Sequence, residues 1–329
     1  MEENRSSKTM YNHLTRLIKH QEFIVFLVLL GLVIFLSVVR PTTFPTPANL
    51  LNVFRTASQY IVLATGMAFV ILSGNIDLSV GAIIACSCSL AVYINSLFED
   101  GIPAIFVLLI MFAVGILYGI VNGLLVSKIG LPAFITTLGT LNIGNGISLM
   151  ITRGSNIRYG TSWISVFGGG MIGNFPVSIL VMVVVVLLAS LFCKYTKTGR
   201  NIYAVGNSPR AATLSGINAD KIIVLAYAIN GAMSALVGLM MVGQLRQAGP
   251  SYGNGYEMDA IASAVIGGFS TYGGEGNMWG VVLGATLIAL LRNLFVQLSV
   301  SGYWQTIILG AVIIGSVSID CVGKKRAAH

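Results

Sequence analysis

Charge is scarce in this chain. Only 9% of its 329 residues are Asp, Glu, Lys or Arg, where soluble domains carry about 25%, and that shortage excludes a water-soluble enzyme or binding module. Histidine is scarcer still. His13, His20 and His329 all lie at the termini, which removes a serine–histidine hydrolase and any histidine-based metal site within a membrane. The four cysteines, Cys86, Cys88, Cys193 and Cys321, are scattered at spacings that fit neither zinc nor a disulfide framework, and they read as small apolar fillers. No GxxxxGK followed by Ser or Thr occurs, so nothing here cradles ATP phosphates. The GxGD motif of intramembrane aspartyl proteases is missing as well. No catalytic residue, metal or bound cofactor is expected on the chain itself.

What the chain has in quantity is hydrocarbon: 55% of residues are hydrophobic and the mean hydropathy is +0.86. Apolar runs of about 20 residues, the length that crosses ~30 Å of bilayer core, recur at 22–39, 57–73, 79–97, 103–127, 133–152, 175–193, 221–243, 258–271, 278–297 and 303–319. The expected fold is an all-α integral membrane protein of ten spans. The first run, Glu22 to Val39, is longer than a signal-peptide core and ends in Arg40-Pro41 rather than a small-residue cleavage site, so it reads as a retained helix. The eighth is short and ends in Gly267-Gly268; parity argues that it crosses. With the N-terminus inside, thirteen of nineteen basic residues fall on the cytoplasmic side, among them Lys128, Lys194, Lys197, Arg200, Arg210 and Lys221. A re-entrant eighth segment would move Lys324, Lys325 and Arg326 outside, against the bias of Lys and Arg towards cytoplasmic loops. The expected organisation is a cytoplasmic tail (1–21), a membrane domain (22–320) with a cytoplasmic loop (194–220), and a basic cytoplasmic tail (321–329). The net charge of +8 then reflects topology, and no nucleic-acid partner is expected.

Some of the 38 glycines are placed with helical logic. Gly115, Gly119 and Gly123, and likewise Gly280 and Gly284, recur every four residues, on one stripe where a second backbone can approach closely. The run Gly267, Gly268, Gly273, Gly274, Gly276 lacks the lysine and serine of a phosphate loop and reads as a turn or close helix contact. Polar groups inside apolar spans are expensive in lipid and point to the interior or to a wet passage. Gln59, Asn75, Asn122, Asn142, Asn145 and Asn230 are candidate passage-lining residues, interhelical hydrogen bonding being the alternative for each. Asp77, followed by Ser79, reads as a cap for the next helix, with contact to solute the other use. Glu257 and Asp259 suit the N-terminus of the eighth segment. Arg292 either neutralises a carboxylate or snorkels outward, and Asp320 is the last acid near a span.

The stretch AVGNSPRAATLSGIN, residues 204–218, is built for water. Ser208 can cap a helix whose first residue is Pro209, and Gly216 stands where a left-handed stop belongs. A helix of about seven residues falls well under the ~12–15 needed for marginal stability in isolation, so something holds it. Two readings stay open on physical grounds: docking into a groove of another protein, or packing on the chain's own loop ends.

Several stretches resemble the permeases of ribose-type sugar ABC importers, a family that includes xylose, galactose and autoinducer-2 permeases. They are SGNIDLSVGAIIA (73–85), GIVNGLLVSKIGLPAFITTLGTL (119–141), TKTGRNIYAVGNSPRAATLSGIN (196–218) and GYEMDAIASAVIGGFSTYGGEGNMWGVVLGA (255–285). Two positions depart from the family pattern: Asn75 stands where Gly-Gly-Ile-Asp is usual, and Met258 where Leu is usual. The resemblance implies the ten-helix architecture of the vitamin B12-type importers and a coupling helix over Ser208, Pro209, Arg210, Ala211, Ala212, Thr213, Leu214, Ser215 and Gly216. It also implies a separate ATPase subunit that holds ATP and magnesium, an extracytoplasmic sugar-binding protein, and a second permease copy, all at a bacterial cell membrane. Nucleoside and riboflavin permeases are the related alternative. An ion-coupled secondary transporter using Asp77, Glu257, Asp259 and Arg292 is a different class.

Overall fold

The computed structural model describes residues 21–160 and 163–327. The tail to residue 20, with His13, His20, Arg5, Lys8, Arg16 and Lys19, lies outside the described residues, as do His329 and the side chains of Asp320 and Cys321. Helices carry the fold: α1 (Gln21–Val39), α2 (Pro47–Leu72), α3 (Val80–Ser96), α4 (Ala104–Ser127), α5 (Ala133–Thr152), the single turn α6 (Val166–Gly169), α7 (Val177–Tyr195), α8 (Lys197–Asn207), α9 (Pro209–Leu214), α10 (Ala219–Leu245), α11 (Tyr256–Ile266), α12 (Met278–Gln297) and α13 (Gly302–Ala327). Seven of the described helices, α1, α2, α4, α5, α7, α10 and α12, are long and apolar enough to cross a membrane, and α3 and the first half of α13 are shorter apolar helices.

Local chemistry sets the ends. Thr46 caps α2 by accepting the Asn49 N–H at 3.4 Å, with Pro47 in the first helical position. Asn218 caps α10 through the Lys221 N–H at 3.0 Å. Both α5 and α10 stop at an arginine in the left-handed region, Arg153 (φ 51°) and Arg246 (φ 52°). Beyond these stops, β1 (Ile157–Arg158) pairs antiparallel with β4 (Gln247–Ala248), with Ile157 opposite Ala248, which places the ends of α5 and α10 together. A small hairpin, β2 (Met171–Ile172) with β3 (Phe175–Pro176), precedes α7.

Two segments are broken. After α2 ends at Leu72, Gly74 (φ +80°) turns the chain back, and it runs without helix through Asp77 before α3 begins. Asp77 meets Asn230, near the middle of α10, so α3 starts at mid-depth. The same happens after α10: the chain returns through 246–255, brings the Gly253 backbone against Gly81, and only then forms α11. The expectation of a continuous eighth helix over 258–271 is therefore corrected. Its helix has 11 residues, about 16 Å at 1.5 Å per residue, because Gly255 (φ +81°) starts it late and the glycine-rich turn from Gly267 ends it early. Non-helical backbone is tolerated at that depth only when buried in protein, and here Tyr252 and Gly253 are buried, Gly253 against Gly81 and Ile84 of α3.

The neighbours repeat with the same logic. α4 packs along α10 as α12 packs along α2; α3 touches α4, α5 and α10 as α11 touches α12, α13 and α2. Units α2–α5 and α10–α13 are thus two copies of one arrangement, run in opposite directions, and their half-helices α3 and α11 meet N-terminus to N-terminus. The glycine stripes make the close approach: a β-carbon at Gly115 or Gly119 would strike the carbonyls of Gly231 and Tyr227, and one at Gly123 would lie 2.6 Å from the Val224 Cα. Gly280 and Gly284 meet Gly267 and Ser263 of α11 in the same way.

Candidate functional site

The meeting point of the two broken segments is polar and sealed. Asp77, fully buried, accepts hydrogen bonds from the Ser79 N–H (2.8 Å), the Ser79 hydroxyl (2.6 Å) and the Asn230 amide (2.9 Å). Asn122 of α4 donates to the Ser79 hydroxyl at 2.8 Å, and the Tyr227 hydroxyl of α10 donates to the Ile76 carbonyl at 3.1 Å. Segment 73–79, which has no helical ladder of its own, is therefore tied to both long helices beside it. Asp77 closes an Asx turn on Ser79, the N-cap residue of α3, whose own side chain makes no cap bond. The mirror-related junction holds a second buried acid: Asp259 in the first turn of α11 pairs with Arg292 of α12 at 2.7 Å. Above that pair, Arg292 lies over the Tyr60 ring of α2 at 5.8 Å from the centroid, and Tyr60 meets Tyr256 edge-on. In both junctions an acid near a half-helix start is met by a polar group of another helix, Asp77 by Asn230 of α10 and Asp259 by Arg292 of α12.

The other candidate passage residues divide. Gln59 is buried and donates to Gln244 at 2.9 Å. Asn75 bonds to Ser73 and lines a cleft beside Gly74, Ala133 and Arg210. The positive-φ glycine that the turn requires is Gly74, which is retained, so Asn75 in place of glycine strains nothing. Asn142 is exposed on α5, and Asn145 is half-buried with its carbonyl oxygen unpartnered. Sequence reasoning missed Tyr60, Tyr227 and Tyr256; tyrosines inside apolar runs were the available signal, since a buried hydroxyl needs a partner.

At the end of the bundle where α2 and α4 stop, α8 and α9 form an elbow. Thr196 caps α8 by accepting the Gly199 N–H at 2.9 Å, and Ile202, Val205 and Gly206 face inward. Gly206 fits directly against the Leu72 carbonyl, and the Gly274 N–H donates to that same carbonyl at 3.0 Å. Asn207 and Tyr203 reach the carbonyls of Gly274 and Gly276. Burial, with the Cys193 thiol beside it, pushes the Tyr203 phenol up, so it stays a neutral donor. The glycine-rich turn 267–276 is thus the seat of α8, not a phosphate loop.

Then comes α9, with the caps its sequence implies: the Ser208 hydroxyl accepts the Ala211 N–H at 3.2 Å, Pro209 sits at the first position, and Gly216 has φ +83°. Pro209, Arg210, Ala211, Thr213 and Leu214 are exposed, Leu214 at 83%. Ala212, at 4% exposure, belongs to the seat of α9 and not to its open face, since one side of a helix this short has to rest on the protein.

Comparison with known proteins closes the identification. A family model described as the branched-chain amino acid transport system / permease component matches residues 49–317. The ribose import permease protein RbsC of Haemophilus influenzae is 37% identical over 94% of this chain and 95% of its own length. The galactose/methyl galactoside import permease protein MglC of Escherichia coli K12 is 33% identical over 92% and 94%, and the D-allose transport system permease protein AlsC of the same strain 35% over 90% of each. No solved structure matches the chain. Similarity that runs through both broken segments and the α8–α9 elbow, over nine-tenths of each relative, places the chain in the sugar ABC importer permease family as a multi-pass membrane transport component.

Proposed function

We propose that this chain is the membrane subunit of an ATP-driven importer of a sugar or sugar-like solute, and that α9 is the surface through which a separate ATPase moves it. The carrying observation is α9 itself. A six-residue helix, capped at both ends and seated on α8, presents an almost fully exposed leucine to water. An exposed apolar knob on a rigid base is a protein-docking feature. Its seat gives motion a route inward, because α8 touches the end of α2 and the turn that joins α11 to α12. ATP and magnesium belong to that ATPase; this chain contributes the docking helix and the path.

The path follows from α5. Helices α1, α4, α5 and α7 are all mostly open to their surroundings, yet α5 is the least apolar of the four. Its open face carries Gly139, Asn142 and Gly146. Amide and bare backbone suit a polar passage completed by a second permease copy better than they suit lipid. With α9 cytoplasmic, the two broken segments each complete one crossing and the bundle makes ten, with both termini inside and the β1–β4 end outside, where a sugar-binding protein delivers. This is the topology of the vitamin B12-type importers. The sugar relatives favour a pentose or hexose over nucleosides and riboflavin.

Two outcomes test the reading in proteoliposomes containing the permease, its ATPase and a loaded sugar-binding protein. Leu214→Glu removes the docking knob, so ATPase binding and ATP-driven uptake fall about tenfold or more, while the thermal midpoint of the permease stays put. Gly146→Leu leaves ATPase binding intact and narrows the passage, with uptake down about tenfold. Full uptake without the ATPase, driven by an ion gradient, would overturn the proposal.

A further inference from the structure

A cleft of about 570 Å³ opens where α7 ends, α8 begins and α12 starts. Its wall includes Ser190, Lys194, Arg200, Tyr203, Asn277 and Trp279. None of these belongs to the docking face of α9 or to the polar junctions. Lys194 and Arg200 are exposed, and neither makes an ion pair among the described residues. The Arg200 guanidinium donates to the Lys194 carbonyl at 3.3 Å, and the Lys194 ammonium lies 5.3 Å from the centroid of the Tyr195 ring, so both cations stand at the α7–α8 junction. Across from them the Asn277 amide is taken by Glu22 of α1 at 3.1 Å, so a bound anion depends on the two cations.

The position of the cleft limits what that anion can be. Lys194 ends the apolar run of α7, and Trp279 stands half-exposed in the first turn of α12. Basic and tryptophan side chains at helix ends mark the headgroup level of a bilayer. From Lys194, the face of α7 leads back through Ser190 to Leu187 and Val183, spaced to share one stripe. Both of these are open to the surroundings, at 42% and 40%. The cleft is therefore a basic pocket at headgroup level, roomy enough at about 570 Å³ for a whole lipid headgroup, with an aliphatic track leading away into hydrocarbon. We propose that it binds the phosphate of an anionic phospholipid, with one acyl chain along α7. Neutral lipids with a choline headgroup bring a cation to Lys194 and Arg200 and are disfavoured. The occupied pocket pins the α7–α8 hinge that carries α9.

The site needs neither ATPase nor sugar, so its test stands apart from the transport reading. Purified full-length permease in detergent is titrated with phosphatidylglycerol or phosphatidylcholine, and bound lipid is counted by native mass spectrometry. The wild type retains phosphatidylglycerol in preference. Lys194→Gln and Arg200→Gln each lose about fivefold and the double variant about 25-fold, from roughly 1 kcal/mol per basic residue. Lys197→Gln, a cation of α8 that is not part of the cleft wall, stays within about twofold of wild type on the same basis. Millimolar inorganic phosphate leaves the lipid adduct in place. Equal retention by the double variant, equal loss in Lys197→Gln, or displacement by inorganic phosphate would each overturn the assignment, the last by giving the pocket to a soluble phosphate.

Discussion

Gly231→Val is expected to abolish a stably folded permease. A β-carbon at residue 231 overlaps the Gly115 carbonyl oxygen, comes 2.8 Å from its carbon, and lies 3.3 Å from the Gly119 amide nitrogen. All three are backbone atoms, which cannot swing aside as a long side chain does, so α4 and α10 must separate. Helix association in lipid rests on close packing, since tails are as apolar as leucine, and separation forfeits the contacts at Gly115, Gly119 and Gly123 together. Overpacking of a tight core costs about 1–3 kcal/mol, occasionally more. Backbone opposition puts this variant at about 3 kcal/mol or above. The thermal midpoint and monodisperse yield in detergent read the effect. Gly139→Ala is the matched control: nothing lies within 4 Å of its added carbon, so it holds stability level or gains up to about 1 kcal/mol from helix propensity. A Gly231→Val protein as stable as wild type would mean that α4 and α10 do not touch.

How much of this was legible in the sequence depends on the range of the interaction. Helix ends governed by near neighbours were readable: 133–152 and 278–297 coincide with α5 and α12, and Ser208, Pro209 and Gly216 bracket α9. The stripe at Gly115, Gly119 and Gly123 was readable because a four-residue spacing has one geometric meaning. The depth of the breaks was not. The runs ending at 73 and starting at 79 already left 73–79 outside helix, as found between Leu72 and Val80, but hydropathy is blind to how far into the bundle such a segment reaches. The bonds that hold it extended join Asp77 to Asn230, 153 positions away. Helix α8 hid inside a polar loop for a related reason: its inward face is Gly199, Ile202, Val205 and Gly206, and two glycines in the apolar stripe look like turn residues until the Leu72 carbonyl shows what they make room for. The inward side of α9 was equally hidden, since PRAATL has no apolar stripe to distinguish Ala211 from Ala212. Among the passage candidates, composition identified the polar groups but not their division between buried staples and the open face of α5.

Arg292→Met is expected to cost about 3–5 kcal/mol, the usual result of leaving a buried charge without its partner, and the asymmetry of the pair makes the expectation specific. The Asp259 side chain is 3% exposed and that of Arg292 32%. Removing the arginine strands a carboxylate with no route to water. Removing the acid leaves a long side chain that can extend outward, so Asp259→Ala costs less, about 1–2 kcal/mol. The double variant Asp259→Ala/Arg292→Met leaves no charge stranded, and an apolar replacement of a buried pair is often close to neutral, so it melts above Arg292→Met alone. Thermal midpoints of the four proteins in detergent check the order: wild type highest, Asp259→Ala and the double variant between, Arg292→Met lowest. A double variant that melts no higher than Arg292→Met would mean that Asp259 is not the stranded group and that Arg292 acts through its packing over Tyr60 instead.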